Sequence, residues 1–177
     1  MRPYAVRLML LALAAGGGVA AVPASAADGG MCQLSGTATF KNGPATSDHA
    51  FTYTFTGDLT GCQSNNGAPA SGTIATLQPG TGSGSCATGT TTGLALVTWS
   101  DKSLSVVSYT TQDATAAVVL QGTVVPSAKV GKKTDPTTKF AGYGAAGLLT
   151  FQANPQECAG SGVTSAPISG AVGLGQQ

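Results

Sequence analysis

The chain has 177 residues, of which only 8% are charged, against about 25% in an average soluble domain. Eight Lys and Arg residues and a net charge of +1 exclude the dense basic surface of a nucleic-acid binder. The 42% hydrophobic content excludes a disordered polyelectrolyte, and the shortage of charged helix formers excludes a coiled coil or helical bundle.

The chain opens on a segment that reads as an export leader. Arg2 and Arg7 form a short basic region, Leu8 to Val22 an apolar one, and Pro23-Ala24-Ser25-Ala26 offers small residues for cleavage before Ala27. The apolar run holds three glycines and falls short of the ~20 residues needed to span a bilayer. The expected organisation is therefore a signal peptide over 1–26, removed on export, and a single β domain over 27–177, secreted and without a membrane span. Loss of Arg2 and Arg7 leaves lysine as the only cation type and brings the net charge to about −1, six lysines against seven acids.

Strand-like runs follow in order. Gln33 to Phe40 is the first. Phe51-Thr52-Tyr53-Thr54-Phe55-Thr56 alternates aromatic with threonine, which puts three rings on one face and three hydroxyls on the other. Gly72 to Leu77 is next, then Thr92 to Trp99 and Leu104 to Thr110 about a Ser100-Asp101-Lys102-Ser103 turn. Ala114 to Val125 reads as one long apolar strand, and Ala145 to Phe151 and Pro167 to Leu174 complete the set. Asn42-Gly43-Pro44, Gln63 to Ala70, Pro79 to Ser85 and Asn154-Pro155 read as turns, and Pro126 to Lys139 as the longest loop. No helical stripe is evident. The expected fold class is all-β, an antiparallel β-sandwich or barrel of about eight strands.

Four cysteines in an oxidising compartment imply two disulfides. Of the three pairings, Cys32–Cys62 and Cys86–Cys158 are favoured, the first stapling the opening strand to the end of the second. No C-x-x-C spacing exists and one histidine cannot complete a ligand set, so neither a metal nor a cofactor is expected. Cys86, Trp99 and Cys158 follow the order of the Cys…Trp…Cys pattern of immunoglobulin domains. Gln156 stands where that pattern has tyrosine and Cys86 lies in a Gly/Ser loop, so a true immunoglobulin domain is not expected. Trp99 reads as a strand residue of the core.

Catalytic groups are scarce. His49, in the polar segment Thr46 to Ala50, is the single imidazole, and no G-x-S-x-G elbow accompanies it. Gly80-Thr81-Gly82-Ser83-Gly84 has the wrong spacing for a phosphate loop and reads as a flexible loop. Asp48, Asp58, Asp101, Asp113 and Asp135 fall in or beside predicted turns, where aspartate accepts bonds from its own backbone, and Glu157 adjoins Cys158. No catalytic residue is assigned. Lys129, Lys132, Lys133 and Lys139 form a charge cluster and a candidate interaction loop for an anionic cell-wall polymer or another secreted protein.

From Ser85 to Gly173 the chain resembles a group of small secreted Gly/Thr-rich β proteins of actinobacteria. The resemblance rests on Cys86-Ala87-Thr88-Gly89-Thr90-Thr91-Thr92-Gly93, Val97-Thr98-Trp99, Ala117 to Val124, Phe140-Ala141-Gly142, Leu149-Thr150-Phe151 with Cys158, and Gly162 to Ala166. It covers about half the chain. The group has no assigned function, so it carries over no functional residue, and the segment before Phe140 is longer and richer in lysine here. The expectation is a secreted, non-catalytic β protein that binds or builds structure at the cell envelope. The alternatives are an extracellular hydrolase around His49 and a protease or hydrolase inhibitor presenting the Pro79 to Cys86 loop.

Overall fold

The computed structural model describes residues 29–64, 69–114 and 116–175; the leader of residues 1–26 lies outside them. The elements run β1 (Gly30–Lys41), β2 (His49–Ser64), β3 (Gly72–Thr76), β4 (Gly80–Gly84), β5 (Thr88–Trp99), β6 (Leu104–Ala114), β7 (Ala117–Val125), β8 (Ser127–Val130), β9 (Lys133–Pro136), β10 (Gly144–Phe151), α1 (Pro155–Ala159) and β11 (Ser165–Gly175).

Each strand of the main sheet pairs antiparallel with its neighbours, and pairing of β1 with β2 closes the sheet on itself. The ring runs β1, β2, β3 with β4, β5, β6, β7, β10, β11 and back to β1. β3 and β4 share one place between β2 and β5. β2 meets β3 through Thr56–Leu59 and β4 through His49–Tyr53, while β5 meets them through Ala95–Trp99 and Gly89–Thr92. The residues from Leu77 to Pro79 bulge between the two halves. The result is an eight-place closed barrel rather than a sandwich, with every connection made between neighbours. Both favoured disulfides are present, Cys32–Cys62 across β1 and β2 and Cys86–Cys158 between the β4–β5 turn and α1.

The period-two pattern sorts the residues between two faces. Leu34, Ala38, Phe51, Tyr53, Phe55, Leu59, Val97, Trp99, Val107, Tyr109, Val118, Val124 and Leu149 point inward and form the core. Eight strands enclose a narrow interior, so the large rings need small partners. Glycine supplies them. Phe51 lies directly across from Gly82 and Tyr53 from Gly80. Tyr109 lies across from Gly93 on one side and Gly122 on the other. A Cβ at Gly82 would sit 2.3 Å from the Phe51 ring, and one at Gly80 2.5 Å from the Tyr53 ring. Much of the glycine content is thus the empty half of aromatic–glycine pairs.

Four sequence expectations change. Ala114 to Val125 is two strands, β6 ending at Ala114 and β7 beginning at Ala117, because their cross-strand pairing closes a hairpin there. Gly80 to Gly84 is strand β4, not a flexible loop, because inward aromatics of β2 lie over its glycines. Pro126 to Lys139 is largely the β8–β9 hairpin, turned by Gly131 at φ +64°. Asn154-Pro155 opens a short helix, α1, in which the Asn154 side chain caps the Gln156 N–H.

Gly82→Ala should destabilise the barrel by ~1–3 kcal/mol through overpacking against Phe51. In a Phe51→Leu background the same change should cost much less. Urea denaturation of the four proteins of this cycle measures it, and equal costs in the two backgrounds would refute the pairing.

Candidate functional site

The barrel interior is not solid. An apolar cavity of about 150 Å³ runs along it, bounded by inward residues of every barrel strand except β4, with Phe40 and Phe151 near one end and Trp99 and Phe140 near the other. A second, open depression is lined by Asp58, Thr60, Ser71, Thr73 and Lys102 together with Leu59 and Trp99.

The two ends are covered differently. At the Trp99 end, the chain following β9 crosses the opening. Phe140, at φ +65°, sets its ring edge-on to Trp99 with centroids 5.6 Å apart. The Trp99 indole N–H donates to Ser105 Oγ at 2.8 Å, and that hydroxyl donates to the Lys139 carbonyl at 2.8 Å. At the other end, Phe40 packs edge-on to Phe51 and Phe151, with centroids 5.8 and 5.7 Å apart. There the β1–β2 connection is tied to the segment after α1, with the Val163 N–H donating to the Pro44 carbonyl and the Phe40 N–H to the Thr164 carbonyl.

One polar chain enters this apolar space. The Tyr53 and Tyr109 hydroxyls meet at 2.8 Å, and Tyr53 donates to Thr91 Oγ1 at 3.2 Å. Thr91 Oγ1 lies 2.8 Å from Thr111 Oγ1, which donates to Asp113 Oδ1 at 3.2 Å. With Thr111 donating to the carboxylate, the whole chain is oriented: each hydroxyl donates toward Asp113 and accepts from the one behind it. Burial pushes the Tyr53 and Tyr109 hydroxyls above their ordinary pKa. Desolvation likewise raises that of Asp113, with the Thr111 hydrogen bond opposing it.

The sequence-selected residues lie elsewhere. His49 opens β2, outside the lumen. Its Nδ1 is 2.9 Å from the Ser47 carbonyl, and its Nε2 is 2.9 Å from that of Gly43 and 3.1 Å from that of Asn42. Two nitrogens facing carbonyl oxygens favour the doubly protonated ring, so the Ser47 bond foremost, then that to Gly43, raises the His49 pKa above 6.5. A ring so held clamps a turn and has no lone pair directed at a nucleophile. The four lysines are not gathered. Lys133 pairs with the buried Asp135 at 2.7 Å, and Lys139 pairs with Asp101 at 2.8 Å, which holds that carboxyl down to about 2. Lys129 and Lys132 are exposed on the hairpin. The Pro79 to Cys86 segment is mostly barrel strand, not a projecting loop.

Sequence reasoning missed the Asp113 chain. Asp113 was expected in or beside a turn, yet it shares the odd parity of Val107, Tyr109 and Thr111, and that parity faces inward along all of β6. Among the described residues no group of three or more His, Cys, Asp or Glu gathers, and no helix is long and apolar enough to cross a membrane. No protein-family model, curated protein or solved structure matches the chain.

The His49 geometry predicts a pH effect. A raised pKa in the folded state gives stability that is present below about 6.5 and lost as pH rises through the folded value. Melting of the wild type should therefore fall relative to His49→Gln as pH rises above 6.5. Parallel melting profiles for the two proteins would show that the clamp contributes nothing.

Proposed function

We propose that the protein is exported and acts outside the cytoplasm, at or near the cell envelope, as a non-catalytic binding protein that holds a small, mostly apolar molecule in its barrel lumen. The cavity carries this reading. A well-packed core leaves few voids larger than a water molecule, whereas this barrel keeps about 150 Å³ open and lined by aromatic and aliphatic side chains. An apolar cavity of ~150 Å³ stays dry and admits a benzene-sized guest. Eight-stranded barrels have interiors that are either filled by side chains or hold one small ligand.

Two further observations favour binding over hydrolysis. His49 is outside the lumen and engaged on both nitrogens, and the hydroxyls inside the lumen are linked to one another with no imidazole beside them. Two disulfides suit an oxidising compartment, in keeping with the leader read in residues 1–26.

Toluene should raise the melting temperature of the wild type, since a ligand at a hundred times its Kd adds about 2.7 kcal/mol to stability. Ala145→Leu, which places bulk on the lumen wall, should abolish that shift. Absence of any shift with toluene would remove the reading.

A further inference from the structure

The ligand class can be narrowed by what the lumen offers at one end. Among the described residues, Asp113 is the only charged side chain on the cavity wall, and no Lys, Arg or His lines it. Among the described residues the two ion pairs are Lys133–Asp135 and Lys139–Asp101, and neither reaches Asp113. The carboxylate thus faces the lumen with a hydroxyl donor but without a counter-charge.

A second observation concerns the rings at that end. Asp113 stands near the end of β6, and the same rim of the barrel carries the end of β1 with Phe40, the start of β2 with Phe51 and the end of β10 with Phe151. Phe40 touches Phe51, Tyr53 and Phe151, so four rings cluster there. Aromatic faces carry negative potential and attract cations, more strongly where water is excluded.

We propose, building on the lumen-binding reading, that the natural ligand is a small organic cation, an amine with a compact apolar body, whose ammonium group is received by Asp113 and the rim aromatics. Its body occupies the apolar lumen toward Trp99. A carboxylate ligand is disfavoured by the unpaired Asp113, and a neutral one leaves that charge uncompensated.

The test compares three probes of equal shape at neutral pH: 2-phenylethylamine, 2-phenylethanol and phenylacetate. Calorimetry on the wild type should rank the amine about tenfold or more above the alcohol, with the acid weakest. Asp113→Asn should remove the preference for the amine while leaving the alcohol within about twofold. Equal binding of amine and alcohol to the wild type would overturn the cation assignment and leave the lumen reading intact. Failure of all three probes, together with toluene, would overturn both. The wild-type ranking decides the matter even if the variant does not fold.

Discussion

Aromatic rings laid across glycines are the constraint on which the rest of this structure depends. An eight-place barrel has a fixed and narrow interior. Phe51 over Gly82, Tyr53 over Gly80 and Tyr109 between Gly93 and Gly122 line it with rings that lie along the wall instead of crossing it. The consequence reaches the candidate site. A Cβ at Gly93 would sit 2.6 Å from the Tyr109 hydroxyl and 3.2 Å from that of Tyr53. The meeting of those two hydroxyls, and the polar chain that runs from them to Asp113, exists because position 93 has no side chain. Glycine weakens a strand in isolation; here the lost propensity is offset by ring burial and by the space the lumen retains.

Closure also accounts for the scarcity of charge. Open sheets protect their edges with lysines, prolines and bulges, because an unpaired strand invites another chain. In a ring closed by the β1–β2 pairing no such edge remains, so the outer wall can be built from threonine, serine, glycine and alanine. The outer surface does carry apolar residues, such as Leu148 beside Val119 across β7 and β10. At the Trp99 end, Lys139 ties the crossing segment to Asp101 and also lies 5.7 Å from the Phe140 ring centroid.

What the sequence could and could not convey follows from the same physics. Alternation in Phe51 to Thr56 placed the rings on one face correctly, and of the three pairings the even cysteine count left open, the favoured one is present. Barrel against sandwich was not legible, since both use the same strands and turns and differ only in whether β1 meets β2 as well as β11. Gly80 to Gly84 was misread because glycine has low strand propensity, and here cross-strand aromatics override it. A signal was present: glycine alternates with Thr81 and Ser83 at the same period of two as the Phe51 strand. Asp113 was misread for a related reason. At the end of a strand an aspartate ordinarily belongs to the turn, and only its parity with Tyr109 marks it as inward.

Asp113 is also what separates a ligand site from an imperfect core. A void alone could be a packing defect, which costs stability in proportion to its volume. A carboxylate on the wall of that void adds a desolvation cost that an apolar residue of similar size would avoid. Among the described residues no cation relieves this cost. The fold supplies Thr111 as a donor and aligns three further hydroxyls behind it, which stabilises the charge while leaving it unpaired. Cavity, unpaired carboxylate and aromatic rim lie along one lumen, and the first two alone would disfavour folding. Their coincidence is understood if a guest fills the void and meets the charge, so that the penalties of the empty barrel become the binding energy of the occupied one.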